Sequence, residues 1–227
     1  MRTIREKPMR PSPPYLLRAR ALLLAAAALS LVTGCSYLLG VRTEPPRLFV
    51  LSTTPADGMQ VVPPGTVLGF GPVDLPGYLD RRGIVRRIDA NRLEESRTDL
   101  WAEPLGAGFK TTVEQNLRLR LPGVPLRTFP WPLVNQPDLA VAIEVSRFEL
   151  TPGGTVELNA RWSVRDPERG VVLLDHDAAL VETVNGQGVE DVVAAMSRAA
   201  GALSDEIARA VAGAASTSPG KKRSGAR

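Results

Sequence analysis

The segment Val156–Val164 constrains the fold more than any other part of the chain, because its side chains alternate without a break. Apolar residues occupy every second position, and polar or charged residues occupy the positions between them. A period of two is typical of a strand with one buried and one solvated face, as in an antiparallel sheet. We therefore expect Trp162 to lie in the core and Arg161 to face solvent.

Two further long strands flank this segment. Leu139–Val145 alternates likewise, but the apolar phase shifts before Phe148, which predicts a β-bulge near Ser146 and Arg147. Glycine-containing turns at 151–154 and 166–170 connect the segment to its neighbours, and the third strand is Val171–Val184. The three strands together predict an antiparallel meander.

Two segments have the periodicity of a helix. Pro104–Leu121 has an apolar residue at every fourth position from Leu105, and proline suits its first turn. Val189–Ala212 has two acidic residues, Glu190 and Asp191, in its first turn, where the positive end of a helix favours them. Shorter strands are predicted at Arg47–Thr53, Thr66–Val73, Ile84–Ile88 and Arg92–Glu95, with an edge strand at Pro125–Pro130. The pattern predicts a single-domain α/β sandwich, in which two main helices pack on a mixed β-sheet of about eight short strands.

The amino-terminal segment has the pattern of a lipoprotein signal peptide. Residues 1–20 are rich in cations, and 21–32 form an apolar run that is too short to span a membrane. Leu31–Cys35 then reads LVTGC, which resembles a bacterial lipobox. We predict cleavage after residue 34, acylation of Cys35, and a lipidated tether at 35–46. Ser36 favours sorting to the outer membrane, where the lipid anchor would hold the domain facing the periplasm.

Charge is distributed unevenly along the chain. The chain has 28 Lys and Arg against 24 Asp and Glu, but the excess of cations lies in the signal peptide and in a basic tail. The middle of the chain is therefore acidic, which disfavours a nucleic-acid-binding body. We predict a folded domain at 47–212 and a disordered basic tail at 213–227.

The chain offers little for catalysis. It has one cysteine and one histidine, so no zinc set of Cys and His can form, and it has no nucleophile elbow, P-loop or dinucleotide fingerprint. His176 lies in an apolar run and is expected to be structural. We predict no catalytic residues, no metal and no cofactor.

Two sequence blocks are more specific than generic structure requires. The first is Leu75–Arg81, and the second is Leu100–Leu105; Asn116–Leu117 and Phe148–Glu149 follow. Together with the lipobox, these blocks resemble the PqiC family of auxiliary lipoproteins, which serve transport systems built around MCE-domain proteins. The likeness covers most of 35–212.

The resemblance implies a non-enzymatic outer-membrane lipoprotein. Its expected partners are an MCE-domain tunnel protein and the associated inner-membrane permease, and its expected role is to help phospholipid or other hydrophobic cargo move between membranes and to support envelope integrity. Some relatives assemble into homo-oligomeric rings. For the residues, we expect Tyr78, Leu79, Asp80 and Arg81 to contribute to partner binding or assembly. A turn ion pair between Asp80 and Arg81 is the alternative for that pair.

The second block is expected to be structural. Trp101 should pack near the start of the first helix, with Glu103 beside the positive end of that helix and Pro104 in its first turn. The basic cluster at 81–82 and 86–87 is either a solvated strand edge or a contact for acidic lipid headgroups. Two other functions remain open from sequence alone: a lipoprotein that assists lipopolysaccharide or outer-membrane protein assembly, and a tethered hydrolase.

Overall fold

A computed structural model describes residues 45–217 of the chain, and Cys35 and the predicted signal peptide lie outside the described residues. The described part has the predicted two helices and eight strands. In chain order they are β1 (Arg47–Phe49), β2 (Leu68–Asp74), β3 (Gly83–Asp89), β4 (Arg92–Trp101), α1 (Leu105–Arg120), β5 (Leu126–Thr128), β6 (Leu139–Leu150), β7 (Thr155–Asp166), β8 (Val171–Thr183) and α2 (Val189–Thr217). Single 3₁₀ turns lie at Gly77–Leu79 and Leu133–Asn135.

Strand β6 organises the sheet, because three strands pair with it. Along one side it is antiparallel to β7, which in turn pairs with β8. Along the other side it is parallel to β2 up to Glu144, and parallel to β3 at Leu150. Strand β5 extends the sheet beyond β2, while β4 and then β1 extend it beyond β3. The sheet is therefore mixed, as predicted. On the side of β6 away from β7 it divides into two branches, one that begins with β2 and one that begins with β3.

The predicted meander is confirmed. Val156, Leu158 and Val164 on β7 are fully buried, whereas Arg161 between them is exposed. The register of β6 against β7 shifts between Val145 and Arg147, which is the predicted bulge. The bulge resets the alternation of β6, so that Phe148 again points into the core.

Both helices contribute to one hydrophobic core with the sheet. The apolar stripe of α1 is buried along its length, and Phe109 in that stripe packs edge-on against Phe148 at 5.2 Å between ring centroids. Helix α2 packs on β6, β7 and β8 and also against α1. Each buried aromatic or aliphatic side chain of this size stabilises the fold by about 1.5–3 kcal/mol.

The first predicted strand is shorter than expected. Strand β1 ends at Phe49, and the following residues cross the two helices instead of extending the sheet. There the backbone N–H of Ser52 donates to Ser197 Oγ at 3.1 Å, and that of Thr54 donates to Asn116 Oδ1 at 3.0 Å. Side chains of α1 and α2 thus replace the strand partner that these backbone groups would otherwise need.

Helix α2 is longer than predicted. It continues to Thr217, so the first five residues of the predicted tail at 213–227 are helical rather than disordered. The physical reason is that Ala215 is buried, 7% exposed, so the apolar face of α2 continues past residue 212. Strand β4 also exceeds its prediction, because it continues from residue 95 to Trp101 and pairs there with β1.

Candidate docking site

The predicted docking residues lie in a 3₁₀ turn between β2 and β3. This turn, Gly77–Leu79, is where the sheet divides. Leu79 is buried, 2% exposed, and belongs to the hydrophobic core. Tyr78 is half-buried, whereas Asp80 and Arg81 are exposed. The structure therefore separates the four residues into a pair that anchors the turn and a pair that is exposed.

Tyr78 is held by a buried carboxylate. Its hydroxyl donates to Glu149 Oε2 at 2.5 Å, and Arg87 Nε donates to Glu149 Oε1 at 2.8 Å. Glu149 is completely buried, and Arg147 approaches it at 3.6 Å. A buried carboxylate needs such partners, because isolating its charge from water is very costly. The network thus ties the turn to β3 and β6.

The network has a defined protonation state near neutral pH. Burial, followed by the hydrogen bond to Glu149 and the negative charge of that residue, raises the pKa of Tyr78 above its ordinary value of 10.0. The hydrogen bond to Glu149 likewise raises the pKa of Arg87. Tyr78 therefore remains a neutral donor and Arg87 remains a cation, so the anchor of the turn stays intact across the physiological pH range.

The four arginines of the basic cluster differ in their contacts. Arg86 pairs with Glu94 at 2.6 Å, and Arg87 pairs with Glu149. Within residues 45–217, Arg81 and Arg82 are exposed and form no ion pair, and the alternative pairing of Asp80 with Arg81 is not observed either. We refer to Asp80, Arg81 and Arg82 as the charged turn. Its side chains are exposed and unpaired on a rigid support, which suits contact with a charged partner.

The second sequence block lies at the junction of β4 and α1. Trp101 is buried, 6% exposed, and its backbone N–H donates to the Arg82 carbonyl at 2.8 Å. Pro104 precedes the first residue of α1, and the Glu103 side chain lies beside Gly108 in the first turns of that helix. The block therefore holds the charged turn in place through this hydrogen bond to the backbone of residue 82.

Trp162 lies on the core face of β7 and is 3% exposed. Its ring packs against that of His176 on β8, at 5.3 Å between centroids. His176 itself is exposed, and in the described part of the chain no three His, Cys, Asp or Glu residues cluster as metal ligands would.

An ion pair that sequence reasoning did not find joins the two helices. Arg120, 1% exposed, donates to Asp205 through Nε at 2.6 Å and through Nη2 at 2.8 Å. The same guanidinium also donates to the carbonyls of Thr54 and Pro55. A weak signal exists in the sequence, since Arg120 lies three residues after Leu117 and so borders the buried stripe of α1.

A cavity of about 430 Å³ lies between the β3–β4 hairpin and the start of α2. Its charged lining is largely neutralised internally: Arg86 pairs with Glu94, and Asp99 pairs with Arg47 at 2.6 Å. Its apolar lining includes Ile84 and Leu150. Neither the histidine nor the charged turn lines this cavity, so it does not unite the chemistry-bearing side chains of residues 45–217.

No helix within residues 45–217 is long and apolar enough to cross a membrane.

Comparison with known proteins identifies the family. A family model of the ABC-type transport auxiliary lipoprotein component matches residues 49–208, whereas no curated protein matches the sequence. One solved structure, of an uncharacterized protein, is 21% identical with a TM-score of 0.62, and the match covers 74% of this chain and 99% of that chain. Protein XCC0632 from Xanthomonas campestris, of family DUF330, is 17% identical with a TM-score of 0.59, over 75% of this chain and 97% of that chain.

At these identities the solved structures show a shared fold and nothing more. The family model, in contrast, spans most of the chain and includes the charged turn, the Trp101 block, all of α1 and most of α2. The chain therefore belongs to the family of ABC-type transport auxiliary lipoprotein components, the PqiC-like family that its sequence blocks resemble.

Proposed function

We propose that this lipoprotein is a non-enzymatic, outer-membrane subunit of an MCE-type transport system that moves phospholipid or other hydrophobic cargo. The observation that carries the proposal is the family match over residues 49–208, which assigns an auxiliary role in transport. The resemblance of the two sequence blocks to PqiC proteins supports the more specific assignment to an MCE system.

The lipid anchor is the first element of this function. Acyl chains on Cys35 hold the protein at the periplasmic face of the outer membrane, and Ser36 after the cysteine favours that membrane. The first strand of the domain begins twelve residues after the anchor, because β1 starts at Arg47. A tether of that length keeps the domain close to the bilayer.

The charged turn is the second element. Asp80, Arg81 and Arg82 are exposed, and Tyr78 and Leu79 fix the backbone that carries them. Because the support is ordered before binding, little conformational entropy is lost when a partner docks. Charged groups at such a surface chiefly set the rate of encounter and the choice of partner. We infer that this surface receives the end of the MCE tunnel protein.

Anchoring is tested with Cys35→Ala. The variant should lose its lipid and leave the outer-membrane fraction, and inhibition of signal peptidase II should accumulate a precursor that still carries residues 1–34. Fractionation with outer membranes when no partner is present would refute the anchor.

Docking is tested by reversing the free charges with Arg81→Glu and Arg82→Glu. This double variant should reduce capture of the MCE protein at least fivefold in a pull-down and leave the thermal midpoint unchanged, because neither side chain has an internal partner. The control for a general effect of charge is Leu133→Glu with Val134→Glu, which adds two carboxylates at side chains that are 85% and 97% exposed. Unchanged capture by the double variant would remove the charged turn from the interface.

A further inference from the structure

Strand β8 is an unusual sheet edge. It is 13 residues long and pairs with β7 alone, whereas β1 and β5, the other outermost strands of the described sheet, are 3 residues each. From Leu174 to Thr183 its register with β7 is regular. Its outer side thus presents a long row of backbone N–H and C=O groups that no strand within residues 45–217 covers.

Two of the usual protections against edge pairing, lysine and proline, are missing from β8. Natural edges carry lysine, proline or a covering element, and β8 has neither proline, lysine nor arginine. Its large apolar side chains are exposed instead: Val171 by 48%, Val172 by 50%, Leu174 by 40% and Val181 by 62%. Such an edge is suited to accept an extended segment as an additional strand.

A cavity of about 340 Å³ lies beside this edge, toward α2. It is lined by Trp162, Leu174, His176, Glu206 and Arg209. The buried indole Nε1–H of Trp162 has no acceptor, and the buried Oε2 of Glu206 has no donor, in the described part of the chain. Buried polar atoms normally have partners. A hydroxyl group that accepts from the indole and donates to the carboxylate would satisfy both.

The opposite face of the same edge is acidic. Asp175 and Asp177 are exposed and share one cation, Arg161, at 3.4 and 3.3 Å. Strand β8 carries no lysine or arginine, and its third acid, Glu182, pairs with Arg198 at 3.0 Å. A second copy of β8 would therefore bring like charges onto adjacent strands, which is destabilising, whereas a basic strand would be attracted. Charge thus favours a different polypeptide over a second copy.

We propose that the outer edge of β8 binds an extended segment of another protein, in which basic side chains alternate with apolar and hydroxyl side chains. The basic side chains lie beside Asp175 and Asp177. The others lie over Leu174 and the cavity at Trp162, since alternate residues of a strand point to opposite faces. This site is separate from the charged turn and does not depend on the function proposed above.

The test uses the purified full-length lipidated protein in detergent and fluorescent peptides. The probe is acetyl-VKTKVKV-amide, with one acidic control, acetyl-VETEVEV-amide, and one control in which alternate backbone amides of the basic peptide are N-methylated. The basic peptide should bind at least tenfold more tightly than either control in an anisotropy titration. Failure to bind, or equal binding of either control, would overturn the proposal.

Variants locate the binding. Val181→Lys and Asp177→Lys each place a cation on the face where the basic side chains of the peptide lie, and each should weaken binding at least fivefold with an unchanged thermal midpoint. Val134→Lys, at a side chain that is 97% exposed in the 3₁₀ turn Leu133–Asn135, should bind as the wild type does. Equal losses at positions 134 and 181 would refute the assigned edge. A dimer in light scattering that Val181→Glu dissociates would instead assign the β8 edge to a second copy of the chain. Asp80→Lys, in the charged turn, should leave peptide binding intact, because the two sites are separate.

Discussion

Removal of the Asp205 carboxylate tests how the two helices are held together. Asp205→Ala leaves the Arg120 guanidinium, 1% exposed, without the carboxylate that accepts two of its hydrogen bonds at 2.6 and 2.8 Å. An uncompensated buried charge of this kind costs about 3–5 kcal/mol. The carbonyls of Thr54 and Pro55 remain as acceptors, but they are neutral and cannot replace the negative charge.

The matched control is the surface pair of Arg86 and Glu94. It has the same distance of 2.6 Å, but its side chains are 56% and 53% exposed, so Glu94→Ala should cost less than about 1 kcal/mol. The assay is urea unfolding followed by far-ultraviolet circular dichroism, with linear extrapolation to water. The double change Arg120→Met with Asp205→Leu should recover most of the loss, because an apolar pair of similar volume removes the unpaired charge. Equal costs for Asp205→Ala and Glu94→Ala would refute the reasoning.

Three further predictions concern stability. Trp162→Ala should cost about 3–5 kcal/mol because the side chain is buried, whereas Arg161→Ala should stay within about 0.5 kcal/mol in the same urea assay. Tyr78→Phe should cost about 1–3 kcal/mol at pH 8. Folding raises the pKa of Tyr78 above 10.0, so the wild type should lose its stability advantage over Tyr78→Phe as the pH rises beyond that value. Thermal melts of both proteins from pH 8 to 11 measure this difference. A difference that does not change with pH would contradict the prediction. Gly201→Ala should cost about 1–3 kcal/mol, because a Cβ there would overlap the segment that crosses α2. Gly213 has open space around it, so Gly213→Ala should stabilise helix α2. Equal melting shifts for the two variants would contradict the close contact assigned to Gly201.

The strands and helices were predictable where one local period dominates. The unbroken alternation of Val156–Val164 and the four-residue stripe of α1 each place side chains on one face, and the structure buries those faces. The bulge near Arg147 was predictable for the same reason, because a change of phase has no other simple cause in a strand.

The remaining features depend on contacts between distant residues. The segment after Phe49 has the composition of a strand, but Ser197 and Asn116, far along the chain, accept its backbone hydrogen bonds. Local pattern carries no information about such partners. The same holds for Arg120 and Asp205, which are 85 residues apart in sequence.

The candidate site was only partly predictable. The block at 75–81 marked the correct turn, but sequence could not distinguish its buried members from its exposed ones. That division depends on Glu149, which lies 71 residues from Tyr78 and accepts a hydrogen bond from its hydroxyl. Tyr78 was expected at the surface because aromatic residues are frequent at interfaces. In the structure its hydroxyl is committed to the network that supports the turn.

The central claim is that this lipoprotein acts as a subunit of an MCE-type transport system. The most direct measurement is purification of the tagged, lipidated wild-type protein from native membranes, with mass spectrometry of the proteins and lipids that accompany it. The account predicts a stoichiometric MCE-domain protein together with its permease, and loss of both in the Arg81→Glu, Arg82→Glu variant. Recovery of lipopolysaccharide-assembly or outer-membrane-protein-assembly components instead, with no MCE-domain protein, would contradict it.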